Sequence, residues 1–409
     1  MDLLDDIFDK SLDPDNDIIF NDRNVLRTNF IPDDLPFREN QLTDLGKILS
    51  VALKNSRPSN LLLYGKTGTG KTVVTKYVTN QLKQKSVDLG LNLQILYCNT
   101  RLAGNEYKVL FELNKEINQC CCKDKKMCKC DIPFTGLSIG IAAERLLYKI
   151  SFLKLNTIII LDEIDYLIKK SNDDLLYEIS RANESLENGF ITLIGISNDL
   201  KFKEFLDPRV LSSLNEEEII FSPYNSTELQ KILISRSKIA FKPNVIQSSA
   251  INLCAALSGL EHGDARRAVD TLRVAGEIAE RDNDNQVIDK HVRIALQKIE
   301  QDRLNNSIQS LPLHDKIVIL SLYSRSIKTL VSTGTVYNIY TQYCKKLNLD
   351  FLTQRSVSSI INELALLGII SSTVISEGRY GRTKKIKKEI DYNIIKNIFL
   401  KDDIIQNLL

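Results

Sequence analysis

The stretch Gly65-Lys66-Thr67-Gly68-Thr69-Gly70-Lys71-Thr72 constrains this chain more than any other. It fits G-x-x-x-x-G-K-[ST]. Before it stands Asn60-Leu61-Leu62-Leu63-Tyr64, an apolar run that reads as a buried strand; after it stands Val73-Val74-Thr75-Lys76-Tyr77-Val78, which reads as a helix. Glycines at 65, 68 and 70 accept backbone angles that other residues avoid, so successive N–H groups can turn inward around phosphate oxygens. The helix that follows aims its positive end at the same anion. In this pattern Gly68, Thr69 and Gly70 form the cradle, Lys71 reaches the β- and γ-phosphates, and the Thr72 hydroxyl holds Mg²⁺.

Such a loop needs a parallel sheet behind it, and the chain supplies one. Thr157-Ile158-Ile159-Ile160-Leu161-Asp162-Glu163 reads as a central strand, apolar on both faces and ending in two carboxylates. Ligands of open α/β sheets sit at the carboxyl ends of strands, so these acids point towards the nucleotide. Asp162 then acts on Mg²⁺, directly or through water, and Glu163 orients the attacking water. Leu93 to Cys98 reads as another strand, and Phe190 to Asn198 as a further buried one with a polar end. Asn198 either orients the water and senses the γ-phosphate or is simply a strand-end turn residue. Helical spacing appears over Arg38 to Lys54, over Tyr107 to Ile117, and from Thr135-Gly136-Leu137-Ser138 up to Phe152. This alternation predicts a doubly wound sheet. From Tyr224 to about Arg303 the pattern is helical, and Gly263-Asp264-Ala265-Arg266-Arg267-Ala268 opens one of those helices.

At 409 residues the chain exceeds one ordinary core. A net charge of +2 hides an asymmetry: Met1 to Asp22 carries eight Asp against one Lys, whereas Leu311 to the end carries fourteen Lys/Arg against eight Asp/Glu. No N-terminal apolar h-region and no run near the ~18–20 residues of a bilayer span is seen, which points to a cytoplasmic protein without a membrane partner. Five of the eight cysteines crowd into Cys120-Cys121-Cys122, Cys128 and Cys130. Their spacing is irregular and no His is near, so free exposed thiols, a disulfide and a Zn²⁺ site all stay open, the first being the leading reading.

The basic end reads as a helix-turn-helix with a basic hairpin, a DNA-binding module or else a solvated hairpin on a protein-binding one. Leu313 to Ser326 and Thr335 to Leu347 are two helices, and Thr353 caps a third, Gln354 to Leu367. Val357, Ile360, Ile361, Leu364 and Leu367 form its buried stripe. Gln354, Arg355, Ser358, Ser359 and Asn362 face the other way, with donors and acceptors suited to base edges and phosphates. Ile369 to Ile375 and Arg382 to Lys388 form a hairpin, with Arg379, Tyr380 and Arg382 at or beside its tip.

These elements together resemble the AAA+ ATPases, and more closely the archaeal origin-recognition and cell-division-control initiators. The specific segments are Phe30-Ile31-Pro32 with Leu35-Pro36-Phe37-Arg38-Glu39, Leu161 to Asp165, Ile196-Ser197-Asn198-Asp199, Arg209-Val210-Leu211-Ser212-Ser213, Gly263 to Arg266 and the basic winged helix. The resemblance implies an acidic arm (1–22), an AAA+ base (23–223), a helical lid (224–304) and a winged helix (305–409). It makes Arg266 the sensor-2 arginine, with Arg267 as the alternative, and makes Tyr224 and Arg236 nucleotide-contacting residues at the base–lid junction. Arg209 resembles an arginine finger acting on a neighbour's nucleotide, although a surface ion pair explains it as well. Arg101, Tyr107 and Lys108 lie where initiators carry an extra DNA-contacting motif. The implied cofactors are ATP/ADP and Mg²⁺. The implied partners are double-stranded origin DNA, a paralogous initiator and the replicative helicase, with the protein on the nucleoid and slow hydrolysis as a switch. A clamp-loader or motor ATPase, a nucleotide-sensing transcription regulator and a non-hydrolysing scaffold are the competing readings.

Overall fold

In the computed structural model, residues 18–27, 30–117, 130–170, 173–214, 216–261, 263–324, 330–376, 382–402 and 404–408 are described. The chain divides into two compact units, Met1–Ala295 and Leu296–Leu409.

The first unit runs α1 (Glu39–Leu49), β1 (Asn60–Gly65), α2 (Lys71–Asp88), β2 (Leu93–Asn99), α3 (Thr100–Ala103), α4 (Glu106–Glu116), α5 (Ile139–Phe152), β3 (Asn156–Asp162), α6 (Ile164–Lys170), α7 (Asp174–Ser185), β4 (Phe190–Ser197), α8 (Pro208–Leu214) and β5 (Glu216–Phe221). The strands form one five-stranded parallel sheet in the order β2-β3-β4-β1-β5. Strand alternation sorts its side chains into two layers. Leu62, Leu96, Ile159, Leu161 and Leu193 pack with α4, α5 and α7 on one face. Leu61, Leu63, Ile158, Ile160 and Ile194 pack with α1 and α2 on the other. The register matters most for function. Asn99 pairs with Asp162, Asp162 with Ile196, Tyr64 with Ser197 and Gly65 with Phe221. The carboxyl ends of all five strands are therefore level, and everything that follows them emerges at one edge.

Helices α9 (Ser226–Ala240), α10 (Ser248–Glu261) and α11 (Ala265–Arg281) follow, and α12 (Asp289–Gln309) crosses from the first unit into the second. Asn225 and Glu228 close a reciprocal capping box on α9, which fixes where the lid begins.

The second unit contains α13 (Leu313–Leu322), β6 (Leu330–Ser332), α14 (Thr333–Lys346), α15 (Gln354–Leu366), β7 (Ile370–Ser376), β8 (Arg382–Lys388) and α16 (Tyr392–Phe399). Its three strands are antiparallel, with β8 between β6 and β7. Val357, Ile360, Ile361 and Leu364 of α15 are buried in its core as the periodicity predicts. Leu367 is not: the helix stops one residue earlier, and Leu367 at its C-cap is 52% exposed.

Among the described cysteines, Cys98, Cys254 and Cys344 are free and buried. Cys130 is fully buried and disulfide-bonded, which overturns exposed thiol for that residue. The remaining cysteines of the cluster, 120, 121, 122 and 128, lie outside the described residues. No described helix is long and apolar enough to cross a membrane.

Candidate nucleotide site and nucleic-acid surface

The level strand ends bring the sequence-predicted phosphate residues together. Gly68 and Gly70 both take positive φ, 76° and 92°, the conformation that turns their amides inward. Gly70 is the N-cap of α2 and supplies no side-chain cap, so the first-turn amides carry their partial positive charge towards the loop's concave side. Lys71 is buried. Its Nζ donates to the carbonyls of Gly65 (2.6 Å) and Lys66 (2.8 Å) and to Asn198 Oδ1 (2.9 Å). Burial pushes this ammonium down to about 8; Asp162 and Asp165 oppose the drop, and the Arg266 charge adds to it.

One strand away, Asp162 Oδ2 accepts the Thr72 hydroxyl at 2.9 Å. Its Oδ1 accepts the Glu163 amide at 3.0 Å. Glu163 takes φ 55°, a left-handed bend that swings its side chain off the strand line. Its carboxylate lies 3.6 Å from Arg101 and its carbonyl accepts the Thr100 hydroxyl at 2.7 Å. Asp165 Oδ1 accepts the Asn198 amide at 3.1 Å and the Ser197 hydroxyl at 3.2 Å, which fixes the turn bearing Asn198.

The lid closes on the same loop. Asp264 caps α11 by accepting the Arg267 amide, and the Ala265 amide donates to the Gly68 carbonyl at 3.2 Å. A Cβ on Gly68 would overlap the Asp264 carboxylate. Arg266 is exposed on the first turn of α11, near enough to lower the Lys71 pKa. Tyr224 is buried at the start of the lid with its hydroxyl facing Gly70. Arg236 lies elsewhere, stacked 4.7 Å from the Phe30 ring and donating to the Val25 carbonyl at 3.1 Å.

Sequence reasoning gave Arg38 no role of its own here. Arg38 is only 3% exposed, and its fork donates to carbonyls of three segments: Thr69 at 2.9 Å, Phe37 at 3.0 Å and Ser222 at 2.7 Å. It also sits 3.8 Å from the Tyr224 ring. It therefore joins the lead-in, the phosphate loop, the end of β5 and the lid hinge. Its only sequence signal was its place in the Leu35 to Glu39 segment.

Other expected residues have local partners. Arg209 forms a two-bond pair with Asp207, at 3.0 Å for each, and its side chain is 80% exposed. The Tyr107 hydroxyl donates to the Pro133 carbonyl at 2.6 Å, and Lys108 lies 6.0 Å from the Phe134 ring.

In the second unit, α15 exposes Gln354, Arg355, Ser359 and Asn362 and half-buries Ser358. Lys384 of β8 reaches back to it, donating to Asn362 Oδ1 at 2.5 Å and Ser358 Oγ at 3.3 Å, so helix and hairpin present one polar surface. Arg379 and Tyr380 lie outside the described residues; Arg382 opens β8, pairing with Ser376.

Residues 54–201 match the AAA domain family, 230–297 the Cdc6 AAA+ ATPase-type lid domain, and 306–398 the CDC6 C-terminal winged helix domain. The ORC1-type DNA replication protein of Pyrococcus horikoshii is 44% identical over 408 residues, 99% of this chain and 95% of that protein. That of Thermococcus kodakarensis is 44% identical over 410 residues, covering 100% and 97%. Among solved structures, the Aeropyrum pernix ORC1 protein in complex with DNA superposes with a TM-score of 0.85 at 42% identity, over 96% of this chain and 99% of that one. An AAA domain, a Cdc6-type lid and a winged helix in this order, with such identity along nearly the whole length, place the chain in the family of ORC1-type DNA replication proteins.

Proposed function

We propose that this chain is an ATP-dependent replication initiator that binds origin DNA and uses slow ATP hydrolysis as a switch. What carries the reading is the convergence of Lys71, Thr72, Asp162 and Asn198 on one cleft, with the lid's Asp264 against Gly68.

The residues fit the nucleotide. The inward glycines and the uncapped first turn of α2 offer amides to phosphate oxygens. Lys71 exchanges its loop carbonyls for phosphate oxygens, which are stronger acceptors for an ammonium. Thr72 and Asp162 present an all-oxygen donor set, which suits Mg²⁺. When bound, Mg²⁺ neutralises phosphate charge and favours displacement at the γ-phosphate. Glu163 polarises the attacking water, Asn198 orients it, and Arg266 stabilises charge from the lid. Tyr224, whose hydroxyl faces Gly70, and Arg236, against the Phe30 lead-in, are the proposed nucleotide contacts of the base–lid junction. Arg209 serves a neighbouring chain's nucleotide.

The DNA complex of the 42% identical Aeropyrum protein supports duplex binding; Gln354, Arg355, Ser358, Ser359 and the wing residues Arg379, Tyr380 and Arg382 are the residues proposed to read or grip it. The replicative helicase and a paralogous initiator are the proposed further partners, on the nucleoid.

Footprinting on chromosomal DNA tests this reading. Wild type should protect a few origin sites, with a pattern that differs between ATP and ADP. Glu163→Gln should stay in the ATP pattern. The Arg355→Ala/Lys384→Ala variant should bind more weakly, with a salt slope shallower by about 1 for each phosphate contact removed. Uniform binding that ignores nucleotide would sink the proposal.

A further inference from the structure

The Asp162 carboxylate has a third donor that the proposed chemistry does not use. The Tyr97 hydroxyl, from edge strand β2, donates to Asp162 Oδ2 at 2.8 Å. Thr72 donates to that same oxygen at 2.9 Å. Tyr97 pairs in register with Ile160, two residues before Asp162 on the neighbouring strand, so the phenol lies along the sheet face and reaches diagonally to the strand end. The ring is itself held, with the Lys76 ammonium of α2 4.1 Å from its centre.

The shared oxygen has a consequence. A hydroxyl that ligates a metal uses a lone pair and can keep its proton on Asp162, but Thr72 then divides its geometry between the ion and the carboxylate. The Glu163 amide holds Oδ1 at 3.0 Å, and Oδ2 needs a donor that does not itself move with the ion. Tyr97 supplies that donor from a fixed ring. Oxygens that ligate ions are oriented by their outer hydrogen bonds in this way.

We propose that Tyr97 is a positioning residue, which holds the Asp162 carboxylate in its Mg²⁺-binding orientation through the hydrogen bond to Oδ2. The inference rests on the nucleotide-switch reading above. The simpler account is that a half-buried phenol has merely found an acceptor. The two differ in what Mg²⁺ does.

The test is the Tyr97→Phe variant, which keeps the ring and the Lys76 contact and loses only the hydroxyl. Binding of a fluorescent ATP analogue is measured across a Mg²⁺ series and in EDTA, with thermal unfolding to confirm the fold. The Mg²⁺ concentration giving half-maximal enhancement should rise by about 10-fold in the variant, the lower end of the effect of losing such an outer hydrogen bond. Affinity in EDTA should match wild type. A wild type whose binding responds to Mg²⁺ and a variant with the same midpoint would overturn the inference alone. Equal loss with and without Mg²⁺ would also overturn it, reducing Tyr97 to a packing role. A folded wild type whose nucleotide binding ignores Mg²⁺ overturns both this inference and the switch reading.

Discussion

Replacing Gly68 with Ala would test whether the lid is latched to the phosphate loop. The residue takes φ 76°, and a Cβ there meets the Asp264 carboxylate. Three losses follow. A non-glycine residue in the left-handed region costs about 1–2 kcal/mol. Displacing Asp264 removes the cap on α11, about 1 kcal/mol. Pushing the helix away breaks the bond from the Ala265 amide to the Gly68 carbonyl, about 1 kcal/mol more. Gly68→Ala should therefore destabilise the lid against the base by about 3–4 kcal/mol. Asp264→Ala alone removes only the cap, about 1 kcal/mol, and makes room for the new methyl. The double variant then retains the Ala265 bond and should be about 2 kcal/mol more stable than the sum of the singles implies. A chain of two units need not unfold in one step, so native-state hydrogen exchange of α2 and α11 amides is the appropriate readout. Additive single effects would refute the latch, because the clash with Asp264 is the source of the coupling.

Three further outcomes follow from the same cleft. The Lys71 pKa is near 8 in the folded state, below the 10.5 of an unfolded lysine. Between these values the unfolded chain holds a proton that the folded chain has released, so stability of the nucleotide-free protein should rise with pH across that window. Phosphate affinity should fall over the same range, and a denaturation and binding series at pH 7 to 10 checks both signs. Arg38→Lys should lower the stability of the first unit by about 2–3 kcal/mol, since an ammonium cannot span the carbonyls of Thr69, Phe37 and Ser222; an unchanged chemical-denaturation midpoint would refute the bridging role. Arg209→Ala should leave thermal stability unchanged, its pair with Asp207 being exposed, and should lower ATP turnover only at concentrations where chains associate. Lower turnover in dilute monomer would exclude action on a neighbour.

The core strands were legible because burial on both faces leaves a plain apolar run. Leu61 to Tyr64 and Ile158 to Leu161 carry no competing signal, and both are buried throughout. β5 was not read at all. It begins Glu216-Glu217-Glu218, a sequence that resembles a solvated loop. It is an edge strand paired only with β1, so one side need not be apolar, and Lys203 bridges Glu216 and Glu218. Leu367 illustrates the opposite error. Helical period assigned it to the buried stripe, but Gly368 takes φ 73° and ends the helix before that turn is complete.

The site was legible to the extent that its chemistry is local. Lys71 and Thr72 are placed by one loop and one helix start, and Asp162 by one strand end, so short motifs contain their geometry. Arg38, Tyr97 and Asp264 act on Thr69, Asp162 and Gly68 from distant parts of the chain, and only the register of the sheet and the closure of the lid bring them close. The division has a physical cause. A phosphate group needs backbone amides and a cation at fixed spacing, which neighbouring residues can supply. Holding a carboxylate or a hinge still requires a partner on a different element, because an element cannot brace itself against its own motion. Arg38 shows how far this goes: three carbonyls from three segments satisfy one buried guanidinium, and no pattern within any of those segments requires it. Any displacement of the Thr69 carbonyl would therefore be felt at Ser222 and Tyr224 through a single side chain.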